Sequence, residues 1–274
     1  MAALHSIAIR PLPTWLPIQK FLGEQSWEVQ KSEEGIVAKT TLIRKDAALI
    51  QARLRGLGLE GSPLEVTVSP KIPRPWVREA RRLEAVARRN KTKGFLRSGT
   101  LTDEEGRFSL TPESIALELG SMAKGQTILD LGCGVGGNSI GFARNECKVI
   151  SIERSKDRLR MARHNAGIYH VQANIDFRNA ELESCPNIPA ADIAFVDPPW
   201  GETYDRISVE YEDLPLLATV FSLPLQVSEY WLKLPPSFRT KTLPFPVREV
   251  RPLFGHQKGD AHRIKFLLVT LVRS

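Results

Sequence analysis

The sequence predicts an α/β fold built on a mostly parallel sheet, and three observations carry that prediction. From residue 108 onward, short apolar runs alternate with helical stretches. A glycine-rich turn, Gly132-Cys133-Gly134-Val135-Gly136-Gly137, joins the end of one run to the start of a helix. Two last runs flank Gly255-His256-Gln257-Lys258-Gly259 and read as closing strands, a terminal antiparallel hairpin. Strand–helix repeats pair in parallel because each helix must cross over the sheet, so both faces are covered. Ligands of such sheets collect at the carboxyl ends of the strands.

The elements follow in order. Residues 1–70 read as a small N-terminal α+β module. Within it, Trp27 to Leu42 alternates and turns at Glu33-Glu34-Gly35, which predicts a hairpin. Asp46 to Leu54 is helical, with Gly56 and Gly58 as stop signals, and Leu64 to Val68 is a short strand. Pro70, Pro73 and Pro75 then mark a linker. Residues 71–107 form a basic helical segment. Over 76–90, Trp76, Ala80, Leu83 and Ala87 share one helical face, and Arg78, Arg81, Arg82, Arg88 and Arg89 the other. Residues 108–274 form the larger domain. Its first helix has Thr111 as N-cap, Pro112 in the first turn and Glu113 complementing the dipole. Strands follow at Thr127–Leu131, Lys148–Glu153, Ile175–Arg178 and Ile193–Val196, with helices from Asn138, Lys156 and Asp213. Val247–Leu253 and Arg263–Val272 close the sheet.

Composition bounds the function. With 274 residues and 42% hydrophobic content the chain is neither disordered nor collagen-like. Its net charge of +7 is concentrated: residues 71–98 hold ten Lys or Arg against two Glu, a local +8. Like charges at i,i+4 destabilise a helix, so an almost purely cationic face points to a polyanion. Arg81, Arg82, Arg88, Arg89, Lys91 and Lys93 are therefore candidate contacts to a nucleic acid. Three scattered cysteines form no C-x-x-C pair, which argues against a metal site and suits a reducing compartment. No signal-peptide pattern opens the chain and no run approaches the ~20 apolar residues of a membrane span. A cytoplasmic location is expected, or a nuclear one in a eukaryote.

The glycine turn has an acidic partner. Glu153 ends the strand after it, 23 residues beyond Asp130. A carboxylate there accepts hydrogen bonds from both hydroxyls of a ribose, which predicts an adenosine-containing ligand. NAD and S-adenosylmethionine are the candidates. The NAD fingerprint is G-x-G-x-x-G around a pyrophosphate. Here Asp130 opens D-x-G-x-G-x-G, which resembles the loop of methyltransferases, where Asp130, Gly132, Gly134 and Asn138 would cradle the amino-acid part of S-adenosylmethionine. Asn179-Ala180-Glu181, after the third strand, takes the adenine-contact position, with Glu181 as the contact.

The most specific feature is Asp197-Pro198-Pro199-Trp200, delivered at the end of an apolar strand. It is the Asp/Asn-Pro-Pro-aromatic signature of enzymes that methylate exocyclic amines of bases. An aryl amine is a poor nucleophile because its lone pair is delocalised into the ring. Asp197 accepts one N–H and the Pro198 carbonyl the other, which favours a pyramidal nitrogen. Each charge-assisted bond contributes ~1.5–3 kcal/mol. The prolines stiffen the turn, and Trp200 offers a stacking face worth ~1–3 kcal/mol.

These residues, with Glu104 to Glu113, the Asp130–Asn138 loop, Ala162-Arg163-His164-Asn165-Ala166 and Tyr169, resemble the trimethylguanosine synthase family. The resemblance covers residues 76–274. It implies a Rossmann-like class I methyltransferase with a mostly parallel seven-stranded sheet, acting on guanine N2 of RNA with S-adenosylmethionine. It further implies that Phe108 and Thr111 help close the cofactor pocket and that Trp200 stacks on guanine. Two positions depart from the family's Ser-Pro-Pro-Trp-Gly-Gly: Asp197 stands for Ser, and Glu202 for the second Gly. An added carboxylate would repel a cap triphosphate, so ribosomal or transfer RNA is as good a substrate as a cap. Two rival readings remain: an adenine-N6 methyltransferase of DNA or RNA, and a non-catalytic RNA-binding protein on the same fold. The 66 residues between Asp130 and Asp197 leave no room between the motifs for a target-recognition domain of the kind DNA enzymes carry, a task that falls to the N-terminal module if such a domain is needed.

Overall fold

The computed structural model describes residues 3–33, 35–201 and 203–272, without the side chains of Glu105 and Phe108. The first elements are β1 (Leu4–Leu12), α1 (Ile18–Leu22), β2 (Glu28–Ser32), β3 (Gly35–Ile43), α2 (Arg44–Leu54), β4 (Gly58–Leu59), β5 (Ser62–Pro63) and β6 (Glu65–Ser69). Four of them make an antiparallel sheet in the order β2-β3-β1-β6. Strict alternation in β1 buries Ile7 and Ile9 beneath Ala47, Ala48, Ile50 and Leu54 of α2. Sequence reasoning passes over β1 because Pro11 interrupts it. The structure sets Pro11 at a register shift between Ile9 and Leu12, where the ladder is already broken and a missing N–H costs little. The hairpin of β2 and β3 falls inside the expected range; Glu34 of its turn lies outside the described residues.

Gly58 is not a helix stop. The helix ends at Leu54, and Gly58 serves a close approach to the chain segment around Arg206 and Ile207. Its N–H donates to the Arg206 carbonyl at 2.8 Å, and an added Cβ would lie 2.3 Å from the Ile207 carbonyl oxygen. Glu60 nearby accepts from Trp15 Nε1 at 3.0 Å and from the Thr240 backbone N–H at 3.0 Å.

The basic helix α3 (Arg74–Ala87) starts with Pro75 in its first turn. Val77 and Ala80 pack into the core of the small sheet, which also includes Phe254. Trp76 is not buried as its helical phase suggests; it is 42% exposed. It sits in the first turn, at the rim of the contact with α2, where the Arg44 guanidinium covers its ring at 5.6 Å.

The remaining elements are α4 (Glu104–Ser109), α5 (Glu113–Met122), β7 (Thr127–Leu131), α6 (Gly137–Ala143), β8 (Lys148–Glu153), α7 (Lys156–Ile168), β9 (Ile175–Asn179), β10 (Ala191–Val196), α8 (Pro215–Ser222), β11 (Val227–Leu234), β12 (Val247–Phe254) and β13 (Ile264–Val272). They form a seven-stranded sheet in the order β12-β13-β11-β10-β7-β8-β9. The five strands from β11 to β9 are parallel; β13 runs antiparallel to them, and the edge strand β12, antiparallel to β13, runs with them again. One face packs on Ile115, Leu119, Ile140, Phe142 and Leu159 of α5, α6 and α7; the other packs on Leu217 and Val220 of α8. The chain steps outward from β7 to β9 and then returns to β10. The gap between the carboxyl ends of β7 and β10 is thus the switch point where an open α/β sheet places its ligands.

Two boundaries differ from expectation. Pro112, not Thr111, is the N-cap of α5; proline has no side-chain acceptor, so the helix has no side-chain cap, and the Thr111 hydroxyl is buried instead. The α8 helix starts at Pro215, preceded by a 3-10 turn over Tyr211–Asp213 that takes up the residues from which a helix was expected. Among the described residues no helix is long and apolar enough to cross a membrane, and no group of three or more His, Cys, Asp or Glu could hold a metal ion.

Candidate active site

β7 and β10 lie side by side with Leu131 opposite Val196, so Gly132 and Asp197 emerge at the same edge of the sheet. The glycine loop then turns back into α6. Gly134 and Gly136 adopt the left-handed region, with φ of +54° and +88°. At Gly136 an added Cβ would sit 3.0 Å from Ala162 Cβ, while at Gly134 it would meet no atom within 4 Å. The first glycine lets α6 pack on α7, and the second leaves the loop surface bare.

Glu153, at the end of β8, fastens this loop. Its Oε2 accepts the Gly134 N–H at 2.9 Å and its Oε1 accepts the Ser155 N–H at 2.8 Å. The residue expected to hold a ribose therefore also shapes the turn, and a carboxylate has lone pairs left for both tasks. Asn179 supports the same corner by donating to the Glu153 and Arg154 carbonyls at 2.8 and 2.9 Å. Glu181 is exposed at the start of the turn that follows β9.

Asp130 is fully buried and accepts from Ser139 Oγ at 2.5 Å; Ser151 continues the chain at 2.9 Å. Burial pushes its carboxyl up to about 7 against the pull of the Ser139 hydroxyl, and the nearby Asp197 and Glu153 carboxylates add to the rise. Its second oxygen Oδ1, with Asn138 Oδ1 and Thr111 Oγ1, is buried without a partner among the described residues. An unsatisfied buried polar atom costs ~1–3 kcal/mol. Three of them bracket one loop: Asp130 before it, Asn138 after it, and Thr111, whose carbonyl oxygen would lie 3.9 Å from a Cβ on Gly137. That donor and acceptor set fits an amino-acid headgroup. Phe108 belongs to α4, and its side chain is outside the described part.

Asp197 faces this loop. Its Oδ2 accepts from Asn138 Nδ2 at 3.2 Å and from the Lys233 ammonium at 2.6 Å. Burial raises the Asp197 carboxyl, and Lys233 opposes the rise. Pro198 is buried, whereas Trp200 is half-buried. Trp200 Nε1 donates to the Lys233 carbonyl at 3.3 Å, and Tyr204 meets its ring edge-on with centroids 5.5 Å apart. Glu202 lies outside the described residues.

The basic residues sit apart from these buried groups. Arg81, Arg82, Arg88, Arg89, Lys91 and Lys93 are all exposed, and Arg82 pairs with Glu79 one turn earlier. The loop after α3 is nevertheless fastened to the larger sheet. Thr92 donates to Asp260 through its backbone N–H at 2.7 Å and its hydroxyl at 2.9 Å. Leu96 N–H donates to Glu113 Oε2 at 2.7 Å and to the Tyr169 hydroxyl at 3.1 Å.

Residues 125–214 match the model of a family described as RNA cap guanine-N2 methyltransferase. Over this stretch the chain is similar to trimethylguanosine synthases. The trimethylguanosine synthase of Schizosaccharomyces pombe is 32% identical over 113 residues, covering 38% of this chain and 47% of that protein. The 23S rRNA (uracil(1939)-C(5))-methyltransferase RlmD of Hahella chejuensis is 33% identical over 95 residues, covering 35% of this chain and 20% of that protein. The match thus spans less than half the length of these curated relatives. Among solved structures, a methyltransferase of Porphyromonas gingivalis W83 superposes with a TM-score of 0.52 at 19% identity, over 74% of this chain and 52% of that one. The fold is that of class I methyltransferases.

Three site residues have roles that sequence reasoning does not assign. Ser139 is a short polar residue inside a helix and carries no visible signal, and Asn165 enters only as part of the run Ala162 to Ala166 that resembles the family. Asn165 is fully buried, exchanges bonds with the Leu101 backbone at 2.7 and 2.9 Å, and donates to the Val135 carbonyl at 2.9 Å, so α7 holds both the glycine loop and the approach to α4. The third, Lys233, does leave a signal: a lone cation inside the apolar run Tyr230-Trp231-Leu232-Lys233-Leu234, where an unpaired charge would not be tolerated.

Proposed function

We propose that this chain is an S-adenosylmethionine-dependent RNA methyltransferase acting on the exocyclic N2 amine of guanosine. One observation carries the reading. Asn138, the second residue of the helix that follows the glycine loop, reaches the acceptor of the amine-binding motif, Asp197, at 3.2 Å. Cofactor loop and amine acceptor thereby form one rigid unit, which a methyl transfer needs in order to align its reactants.

When bound, the cofactor supplies an electrophilic methyl group on a sulfonium. Gly132 and Gly134, with Asp130, Asn138 and Thr111, would hold its amino-acid part, Glu153 its ribose and Glu181 its adenine. Asp197 accepts one N–H of the substrate amine through Oδ1, and the Pro198 carbonyl accepts the other. Trp200 stacks on the base and Tyr204 braces that ring. No strong base is required, because an alkylated aryl amine loses its proton readily to water. The α3 arginines with Lys91 and Lys93 hold phosphates of the RNA.

The trimethylguanosine synthase relative supports guanine N2, and the uracil-C5 relative offers a rival product. Methylation at uracil C5 needs a nucleophile to add at C6 and make C5 reactive. The three cysteines do not supply one at the motif. Cys133 and Cys147 are buried with thiols pushed up by burial, and Cys185 packs against the hydrophobic cluster under α8. Amine methylation needs only the acceptors present. Incubation with labelled S-adenosylmethionine and total RNA, followed by nucleoside analysis, tests the reading. Label in N2-methylguanosine is expected; label in N6-methyladenosine or 5-methyluridine overturns it.

A further inference from the structure

The parallel register of β10 and β11 sets Leu232 opposite Val196, so Lys233 and Asp197 leave adjacent strands at the same level. Lys233 is one of the most buried cations of the chain, with its side chain 6% exposed. Its ammonium donates to Asp197 Oδ2 at 2.6 Å and to the Ser109 carbonyl at 3.0 Å. It also lies 5.7 Å from the Trp200 ring centroid and 5.4 Å from that of Phe266. Both bonds to Asp197, from Lys233 and from Asn138, fall on Oδ2; among the described contacts Oδ1 has none.

Resting on the amine-methylation reading above, we propose that Lys233 is the positioning residue for Asp197. Its ammonium pins Oδ2, so that Oδ1 is turned to the exocyclic amine, and it ties this acceptor to the Trp200 platform and to the Ser109 segment. The arrangement has an electrostatic consequence. The acceptor takes an N–H most strongly while ionised, and three carboxylates crowd this end of the sheet: Asp197 just after β10, Asp130 on β7 and Glu153 on β8. Lys233 from β11 is the cation paired with Asp197 against the other two. Buried carboxylates that lack such a partner gain a proton near neutrality. The cation over one side of Trp200 also leaves the base the other side.

The test is Lys233→Met, which keeps the length and apolar stem of the side chain and removes the charge. With a labelled guanosine-containing RNA, kcat is expected to fall about 30- to 100-fold, with KM for RNA and affinity for S-adenosylmethionine changed less than about threefold. The acid limb of the rate profile should move up by about one pH unit or more, and Lys233→Arg should recover part of kcat. A second arm needs no activity: carbon-13 NMR titration of the Asp197 carboxyl in the cofactor-free, RNA-free protein should show a higher midpoint in Lys233→Met than in the parent. If the parent protein labels no RNA, the functional reading falls while the titration still decides the role of Lys233. An unchanged midpoint, or an unchanged acid limb in an active variant, overturns the proposal. Should Lys233→Met fail to fold, Lys233→Gln takes its place in both measurements.

Discussion

Lys233 and the arginines of α3 carry the same formal charge in opposite surroundings. Lys233 is enclosed by Asp197, the Ser109 carbonyl and two aromatic rings, and its contacts are fixed at hydrogen-bond distance. Arg81 projects into water from a helix whose inner side is apolar, and Arg88 and Arg89 project from the turn that ends that helix, not from the helix face expected of them. Water screens the second group, so each of its charges is worth little alone and acts through the sum. The first is unscreened, so a single atom decides the state of its neighbour. The two regions divide the proposed work: the interior sets the chemistry, and the surface sets the affinity for a polyanion.

The largest effect should come from the interior. Asp197→Ala removes the proposed amine acceptor, and transfer is expected to drop by about 10³-fold or more while cofactor affinity stays near normal. Equal loss of cofactor binding in a calorimetric titration would show that Asp197 belongs to the cofactor pocket instead.

Next comes the clamp that joins the two regions. Asp260 is 1% exposed at its side chain and receives the Thr92 N–H and hydroxyl, the Gln257 N–H and the Lys265 ammonium. Burial pushes its carboxyl upward, but the bonds from Lys265 and Thr92 outweigh that and hold it below the usual range. Asp260→Ala strands these donors and should cost about 3 kcal/mol of stability by denaturant unfolding. If the loss is within experimental scatter, the loop after α3 is not fixed to the sheet and the division between the regions weakens.

Asp130 gives an interior charge with the opposite economy. A carboxyl whose folded pKa lies above its unfolded value favours folding while protonated. That contribution is full below the ordinary aspartate range and is lost as pH rises through about 7. Asp130→Asn removes the titration and keeps an acceptor for the Ser139 hydroxyl. Relative to the parent, the variant should gain on the order of 2 kcal/mol in stability between pH 5 and pH 8. A pH-independent difference in thermal melting would mean that Asp130 is ionised throughout.

The sequence made the same division only in part. The exposed arginines were legible because charge needs no partner to be counted, and helical phase alone separates Arg81 and Arg88 from Ala80. Strands β7 and β8 were legible to the residue, since buried parallel strands are unbroken apolar runs ended by Gly or a charged group. The Asp197 motif was legible because proline restricts the backbone locally. What stayed hidden depends on contacts far along the chain. β11 was missed because Lys233 interrupts its apolar pattern, and that lysine is explained only by a carboxylate 36 residues earlier. Thr111 looked like a cap because local rules know nothing of the interior into which its hydroxyl turns.

The smallest effect per residue belongs to the surface, and it is the one that separates the two regions most sharply. Replacing Arg81, Arg82, Arg88 and Arg89 together by Gln leaves the buried side of α3, Val77 and Ala80, untouched, so stability should stay within about 0.5 kcal/mol. The helix loses repulsion between like charges and also the pair of Arg82 with Glu79, two small changes of opposite sign. RNA affinity should fall about tenfold near 0.1 M salt. Its dependence on log salt should flatten by roughly 1 to 3, because fewer counterions are released on binding. kcat at saturating RNA should hardly move, since none of these groups faces Asp197. An unchanged salt slope would make α3 an ordinary solvated helix face and put the phosphate contacts elsewhere. A fall in kcat with an unchanged slope would mean that the surface charges reach the chemistry after all.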